Sequence, residues 1–214
     1  MNQRFRTDRK YNLQLLDGVS LDRRGYPVCE YADAVPKRLI PFNEALGAKD
    51  TDGFIHFYVD DYQFERLWNN PERYDDALSR FDGVLSPDFS CYIDMPRPMQ
   101  AWNEYRRRLL ATHWAKVGID VIPTLCWSTP DNYDIAFGGF AKGGTYAIST
   151  VGVTRRNLAS VYFTEGLTEA VRTIKPKRLL VYGKKPDINL GCEMIYFEAN
   201  TNKARMGREV EYGR

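Results

Sequence analysis

The sequence predicts an α/β fold built on a mostly parallel sheet. From Gly53 onward, apolar runs of four to eight residues alternate with helix-length amphipathic stretches, which is typical of alternating strands and helices. The chain has 214 residues, 43% of them hydrophobic, which is enough for one sizeable core. Strand–helix–strand units connect by right-handed crossovers, so their strands run parallel under covering helices.

The chain is predicted to have one domain with a preceding segment. Residues 1–52 form an irregular N-terminal lead-in packed on the core, and residues 53–214 form a single α/β domain. The first ten residues are polar and do not resemble a secretory signal, so we expect a cytoplasmic protein. No apolar run is long enough to span a membrane, so no membrane partner is expected.

The apolar runs give the strands in order. The first, near the end of the lead-in, is Arg38–Pro41, and the others are Phe54–Val59, Gly83–Leu85, Val121–Cys126, Tyr146–Ser149, Leu179–Tyr182 and Met194–Phe197.

Three helices are predicted between these strands. In Pro98–Val117, apolar residues recur at three- and four-residue spacing, and Gly118 provides a C-cap. The second, Ser160–Ile174, ends before Pro176, and the third covers Tyr62–Trp68.

Two arrangements of the sheet are consistent with these strands and helices. The strands curl into a small or incomplete (β/α) barrel, or they remain an open doubly wound sheet. We favour the barrel because no glycine-rich phosphate fingerprint follows the first strand.

Both arrangements place ligands at the carboxyl ends of the strands. The candidate catalytic residues there are Asp60, Asp61 and Asp88. Converging carboxylates act as acid and base, or they hold a divalent cation. A structural alternative remains open, because Asp61 also fits an N-cap and Asp88 lies in a Ser-Pro-Asp turn.

Other polar or aromatic residues at the strand ends are candidates for substrate binding. The candidates are Ser86, Trp127, Ser149, Lys184 and Lys185. Lys184 or Lys185 would offset the negative charge of a phosphate group.

The histidines and cysteines are interpreted as structural. His56 lies inside an apolar strand and His113 on an amphipathic helix. The four cysteines are far apart in sequence and include no CxxC pair, so a zinc site is not expected and they are taken as small buried hydrophobes.

The formal charge of +2 does not indicate a nucleic-acid binder. Three consecutive arginines are expected to form a solvated helix face, namely Arg106, Arg107 and Arg108. Basic clusters with many aromatic residues also occur on single-strand-binding surfaces, which keeps that alternative open.

Several strings of this chain resemble the bacterial and phage family known as domain of unknown function 4417. The resemblance covers about residues 36–186, and its strings are VPKRLIPFNEAL, GFIHFYVDDYQFERLWNNPERY, FDGVLSPDFSCYIDMP, QAWNEYRRRLLATHWAKVGIDVIPTLCW, YAISTVG and LLVYGKKP. It implies a compact α/β domain encoded by bacteria, phages and plasmids, with a role in mobile-element biology or phage–host conflict. Its characteristic strings VDDYQF and LSPDFS contain Asp60, Asp61, Ser86 and Asp88.

Two functions are therefore predicted. The first is an enzyme that acts on a phosphate-bearing substrate, a nucleotide or nucleic acid, at the carboxyl ends of its strands. The alternative is a non-enzymatic binder, either a nucleic-acid accessory protein or a phage protein that blocks a host factor.

Overall fold

The computed structural model of the chain describes residues 9–153 and 158–199. Within them, strands and helices alternate along most of the chain. The strands are β1 (Leu39–Pro41), β2 (Phe54–His56), β3 (Gly83–Leu85), β4 (Val121–Ile122), β5 (Thr145–Ser149), β6 (Arg178–Tyr182) and β7 (Glu193–Phe197). The α-helices are α1 (Phe42–Ala45), α2 (Glu65–Asn69), α3 (Asp75–Leu78), α4 (Arg97–Lys116), α5 (Tyr133–Phe137) and α6 (Leu158–Ile174). Short 3-10 helices cover Leu13–Leu16, Asp61–Gln63, Pro71–Tyr74 and Pro130–Asn132.

All strand pairs are parallel, and their spatial order follows the sequence. One sheet has the order β1-β2-β3-β4 and the other β5-β6-β7. A parallel bridge between Thr124 and Ala147 joins them, with Leu125 N–H donating to the Ala147 carbonyl at 2.8 Å. The predicted parallel α/β class is therefore confirmed.

The sheet is strongly curled. The rings of His56 on β2 and Tyr182 on β6 have centroids only 4.5 Å apart. Strands four places apart in a flat sheet would be separated by about 19 Å, given the usual spacing of about 4.8 Å. Apolar side chains from β2 to β6 pack together on this inner face, namely Phe54, Leu85, Ile122, Ala147 and Leu180. No backbone pairing joins β1 to β7 among the described residues, and closure into a barrel stays a prediction.

Two strands end earlier than predicted, each for a local reason. The strand predicted as Phe54–Val59 ends at His56, where the Tyr58 N–H donates to His56 Nδ1 at 3.1 Å. The strand predicted as Val121–Cys126 ends at Ile122 because Pro123 has no N–H to donate to a ladder.

The segment predicted as the lead-in contributes to the fold. Its described part contains β1 and α1, and β1 pairs with β2. The Ala32 N–H donates to the Val121 carbonyl at 2.8 Å, and Leu15 is buried in the largest apolar core.

Helix α4 corrects one prediction from the sequence. Arg106, Arg107 and Arg108 do not form a solvated face, since they are 7%, 1% and 0% exposed. Arg106 pairs with Glu65 at 2.6 Å, and the Glu104 carboxylate accepts hydrogen bonds from both Arg107 and Arg108. The arginines are buried because each guanidinium has fixed carboxylate or carbonyl acceptors.

No helix in the described part of the chain is both long and apolar enough to cross a membrane.

Candidate functional site

A cleft of about 580 Å³ opens at the carboxyl ends of β2, β3, β4 and β5. The loops that follow these strands form most of its wall, and the start of α6 completes it. This volume falls in the usual range for small-molecule sites, and parallel α/β folds place ligands at this edge of the sheet.

Five of the predicted site residues line this cleft. They are Asp60, Asp61, Asp88, Trp127 and Ser149. Because they are at the carboxyl ends of parallel strands, residues up to 89 positions apart in the sequence lie together in this cleft.

Asp61 connects two of the loops. Its carboxylate accepts the Ser90 N–H at 3.1 Å and the Ser90 hydroxyl at 2.8 Å. It does not cap its own helix, because the 3-10 helix Asp61–Gln63 has no side-chain cap bond. The N-cap interpretation is therefore wrong, and Asp61 instead fixes the loop after β3 against the loop after β2.

Asp88 lies between the cleft and the buried arginines. Its side chain is 23% exposed, and its Oδ1 is 4.0 Å from Arg107 Nη2. The pKa of Asp88 is raised to about 6, chiefly by burial; the Arg107 charge opposes this rise and the nearby Asp61 charge adds to it. This carboxyl group therefore titrates close to neutral pH.

Two cysteines also meet in the cleft, which the sequence analysis did not predict. Cys91 follows β3, Cys126 follows β4, and both are partly exposed in the cleft wall. Their side chains share a hydrogen bond, and Cys126 also hydrogen-bonds to Asp88. A signal was present, because both cysteines follow neighbouring strands of one parallel sheet.

Arg107 holds the loop after β3 in place. Its Nε donates to the Pro87 carbonyl at 2.9 Å and its Nη2 to the Phe89 carbonyl at 2.6 Å. These two carbonyls belong to the residues on either side of Asp88. The same guanidinium therefore fixes the backbone around Asp88 and places a positive charge near its side chain.

The aromatic wall of the cleft comes from Trp127 and α6. The Trp127 Nε1–H donates to the Tyr162 carbonyl at 3.1 Å, and the indole stacks on Phe163 with centroids 5.3 Å apart. Gly166 allows this contact, because a Cβ there would lie 2.1 Å from Trp127 Nε1.

The remaining predicted residues are placed differently. Ser86 is 1% exposed, and its hydroxyl accepts the Thr124 N–H at 2.8 Å between the two strand ends. Lys184 and Lys185 are exposed after β6 and are absent from the described cleft wall, with Lys185 Nζ 5.5 Å from the Tyr196 ring centroid. Both lysines follow β6, whereas the cleft is formed at β2 to β5.

His56 lies beneath this region with no exposed surface. Its Nδ1 accepts the Tyr58 N–H, so the ring proton of the neutral form is on Nε2, which has no partner among the described residues. Burial lowers the pKa of His56 to about 3. The imidazole is therefore neutral at physiological pH.

The carboxylates of the cleft do not form a cation site. No group of three or more His, Cys, Asp or Glu side chains within residues 9–153 and 158–199 is arranged to hold a metal ion. Both Asp61 oxygens accept hydrogen bonds from Ser90, and Asp88 faces the Arg107 cation. The divalent cation considered from the sequence therefore does not fit these residues.

The described lining of the cleft is acidic. It contains Asp60, Asp61, Asp88 and Asp94 but no lysine or arginine. Arg155 and Arg156 lie outside the described residues.

Comparison with known proteins indicates a phage family. The profile of the family described as Domain of unknown function (DUF4417) matches residues 22–198. The chain is 40% identical over 156 residues to the Gene 1 protein of Mycobacterium phage L5, a match that covers 71% of this chain and 68% of that protein. It is 38% identical over 163 residues to the Gene 1 protein of Mycobacterium phage D29, a match that covers 72% of this chain and 60% of that protein. No solved structure matches the chain at a significant level.

Proposed function

The chain belongs to the family described as Domain of unknown function (DUF4417), and we propose that it is an enzyme whose active site is the cleft. We take the curled sheet to be an incomplete (β/α) barrel, a fold whose active sites lie at the carboxyl ends of the strands. One observation carries this proposal. The Asp88 carboxyl group has a pKa of about 6 and lies at the edge of a cleft that is large enough for a small molecule.

Asp88 is the proposed general acid and base. A group transfers protons best when its pKa lies near the working pH, and enzymes raise carboxyl pKa values toward 6 or 7 by burial. The two backbone contacts of Arg107 hold Asp88 in one position, which proton transfer to a bound substrate requires.

The lining favours a neutral or cationic substrate with an apolar part. Asp60 and Asp94 add negative charge, while Trp127 and Phe163 supply an aromatic wall. A phosphate group would meet carboxylates here without a described lysine or arginine to balance it. The phosphate-bearing substrate and the non-enzymatic binder remain predictions that the following screen tests.

The first experiment is a thermal-shift screen of the full chain, because a ligand that binds the native state raises its unfolding midpoint. The probes are nucleosides, polyamines, nucleoside triphosphates with and without Mg²⁺, and short oligonucleotides. We expect a shift with neutral or cationic probes and none with the triphosphates. A shift only with oligonucleotides that weakens steeply between about 50 and 200 mM salt would favour the nucleic-acid binder instead.

The second experiment follows conversion of each stabilising probe by mass spectrometry. Asp88→Asn should abolish conversion while the unfolding midpoint is kept or raised. The matched control is Asp187→Asn, an exposed aspartate outside the cleft lining, which should leave the rate unchanged. Full turnover by Asp88→Asn would reject the proposed role of Asp88.

A further inference from the structure

We propose that Cys91 and Cys126 form a redox-active dithiol, in which Cys91 attacks a peroxide and Cys126 then closes a disulfide. This inference goes beyond the proposed function, because it concerns a second reaction that needs no enzyme substrate. It begins from the position of the two thiols at neighbouring strand ends, in hydrogen-bond contact within an open cleft.

The two thiols differ from the other cysteines of the chain. Cys29 is 2% exposed in the apolar core, and Cys192 packs against a second apolar cluster. Of the cysteines in the described part of the chain, Cys91 and Cys126 are the two that line the cleft.

Buried charge favours an anion beside Cys91. Arg107 and Arg108 share the single carboxylate of Glu104, and all three side chains are no more than 2% exposed. One buried positive charge is therefore left to stabilise an anion next to Arg107, where both Asp88 and Cys91 lie. Arg107 directs a hydrogen bond to the Cys91 sulfur, and Asp88 is its other neighbour of opposite charge.

The hydrogen bonds give the two thiols different roles. The hydrogen bond from Cys126 lowers the pKa of Cys91 against the effect of burial, and Arg107 lowers it further. The same bond, together with burial, raises the pKa of Cys126 well above its usual value. Cys91 is thus the more acidic of the two thiols and the nucleophile in this proposal, and Cys126 is the thiol that closes the disulfide.

The first step oxidises Cys91. Its thiolate attacks one peroxide oxygen, the S–O bond forms, and the O–O bond breaks. The hydroxide or alkoxide leaves to the solvent, where the buffer protonates it, and Cys91 becomes a sulfenic acid. The sulfur loses two electrons and the peroxide gains them.

The second step forms the disulfide. Cys126 passes its proton to the hydrogen-bonded Asp88 carboxylate as its sulfur attacks the Cys91 sulfur. The S–S bond forms, the S–O bond breaks, and the departing hydroxide takes the proton from Asp88 to give water. Asp88 returns to its starting state.

The test treats the reduced full chain with one equivalent of hydrogen peroxide and measures its intact mass without reductant. We expect a loss of about 2 Da, the mass of two hydrogens, and a Cys91–Cys126 linked peptide in the digest. A reductant should restore the mass. If both thiols of the folded chain stay free after treatment, the proposal is overturned.

Single substitutions separate the roles of the thiols. Cys126→Ser should stop at the sulfenic acid, which dimedone traps on Cys91, and Cys91→Ser should give at least about tenfold less adduct. Cys192→Ser is the matched control and should behave like the unsubstituted chain. Dimedone labelling of Cys126 rather than Cys91 would overturn the assigned order.

A substitution that prevents folding does not end the test. In the unsubstituted chain, dimedone added before peroxide should capture Cys91 and suppress the linked peptide. At pH 7, Cys91 should also react with iodoacetamide at least about tenfold faster than Cys192. A slower reaction of Cys91 would contradict the proposal. Because no substrate takes part, failure of this assay does not bear on the proposed enzymatic function.

Discussion

The Asp61 carboxylate accepts both the N–H and the hydroxyl of Ser90, at 3.1 and 2.8 Å. This contact joins the ends of two neighbouring strands across 29 residues of sequence. The loop that it fixes also carries Asp88 and Cys91. Asp61 is thus a positioning residue for the chemistry that we propose for the cleft.

Asp61→Ala should destabilise the protein and loosen this loop. Two hydrogen bonds to a partly exposed carboxylate are lost, so we expect the free energy of unfolding to fall by about 1–2 kcal/mol. Urea denaturation at pH 7 measures the change. Ser90→Ala keeps the bond from the backbone N–H and should cost less; an equal or larger loss in Ser90→Ala would show that the carboxylate is not the main anchor.

Ser86→Ala should destabilise the sheet and leave ligand binding unchanged. The Thr124 N–H would lose its acceptor at a buried position, which costs about 1–3 kcal/mol. Urea denaturation gives the stability, and the thermal-shift response to a stabilising probe gives binding. If Ser86→Ala changes the affinity for the probe and leaves the stability unchanged, Ser86 binds substrate, as the sequence predicted.

Gly166→Ala tests the contact between α6 and the cleft wall. The new Cβ would lie 2.1 Å from Trp127 Nε1, so the indole or the helix must move. We expect a loss of about 1–3 kcal/mol and a shift in tryptophan fluorescence. Gly47→Ala is the control, because its Cβ would meet nothing within 4 Å. Equal stability of both variants would contradict the packing of Trp127 against Gly166.

Sequence reasoning predicts the fold class and the position of the cleft, because both depend on short-range patterns. Apolar runs indicate strands, and residues such as Asp88 and Trp127 follow them directly. The predicted Gly83–Leu85 strand agrees with β3. The family resemblance is also confirmed, and the matched region extends from residue 22 to residue 198.

The contacts within the cleft are less predictable because they depend on loops and on buried charge. The strand order places Cys91 and Cys126 at the same edge of the sheet, but their contact depends on a loop that Asp61 and Arg107 hold in place. The arginine run of α4 resembles a solvated face, and its burial depends on distant carbonyls such as those of Pro87 and Ile135. Only Glu104, at helical spacing from both Arg107 and Arg108, is a local sign of ion pairing.

Asp88 should make the protein less stable as pH rises from about 4 to 7. Its pKa is about 6 in the folded protein against 3.8 for an ordinary aspartate. In this window the native state holds a proton that the unfolded chain releases, so the free energy of unfolding falls with rising pH. The shift corresponds to a loss of about 3 kcal/mol that is nearly complete at about pH 7.

Urea denaturation at pH 4.5, 6 and 7 measures this effect against Asp88→Asn, which cannot titrate. We expect the stability difference between Asp88→Asn and the unsubstituted chain to grow in favour of the variant with rising pH. The low pKa of His56 acts in the opposite direction, since protonation of the buried ring at acidic pH favours unfolding. Both proteins contain His56, so its contribution cancels in the difference. A difference that stays constant with pH would show that Asp88 has an ordinary pKa and would remove the main support for its acid–base role.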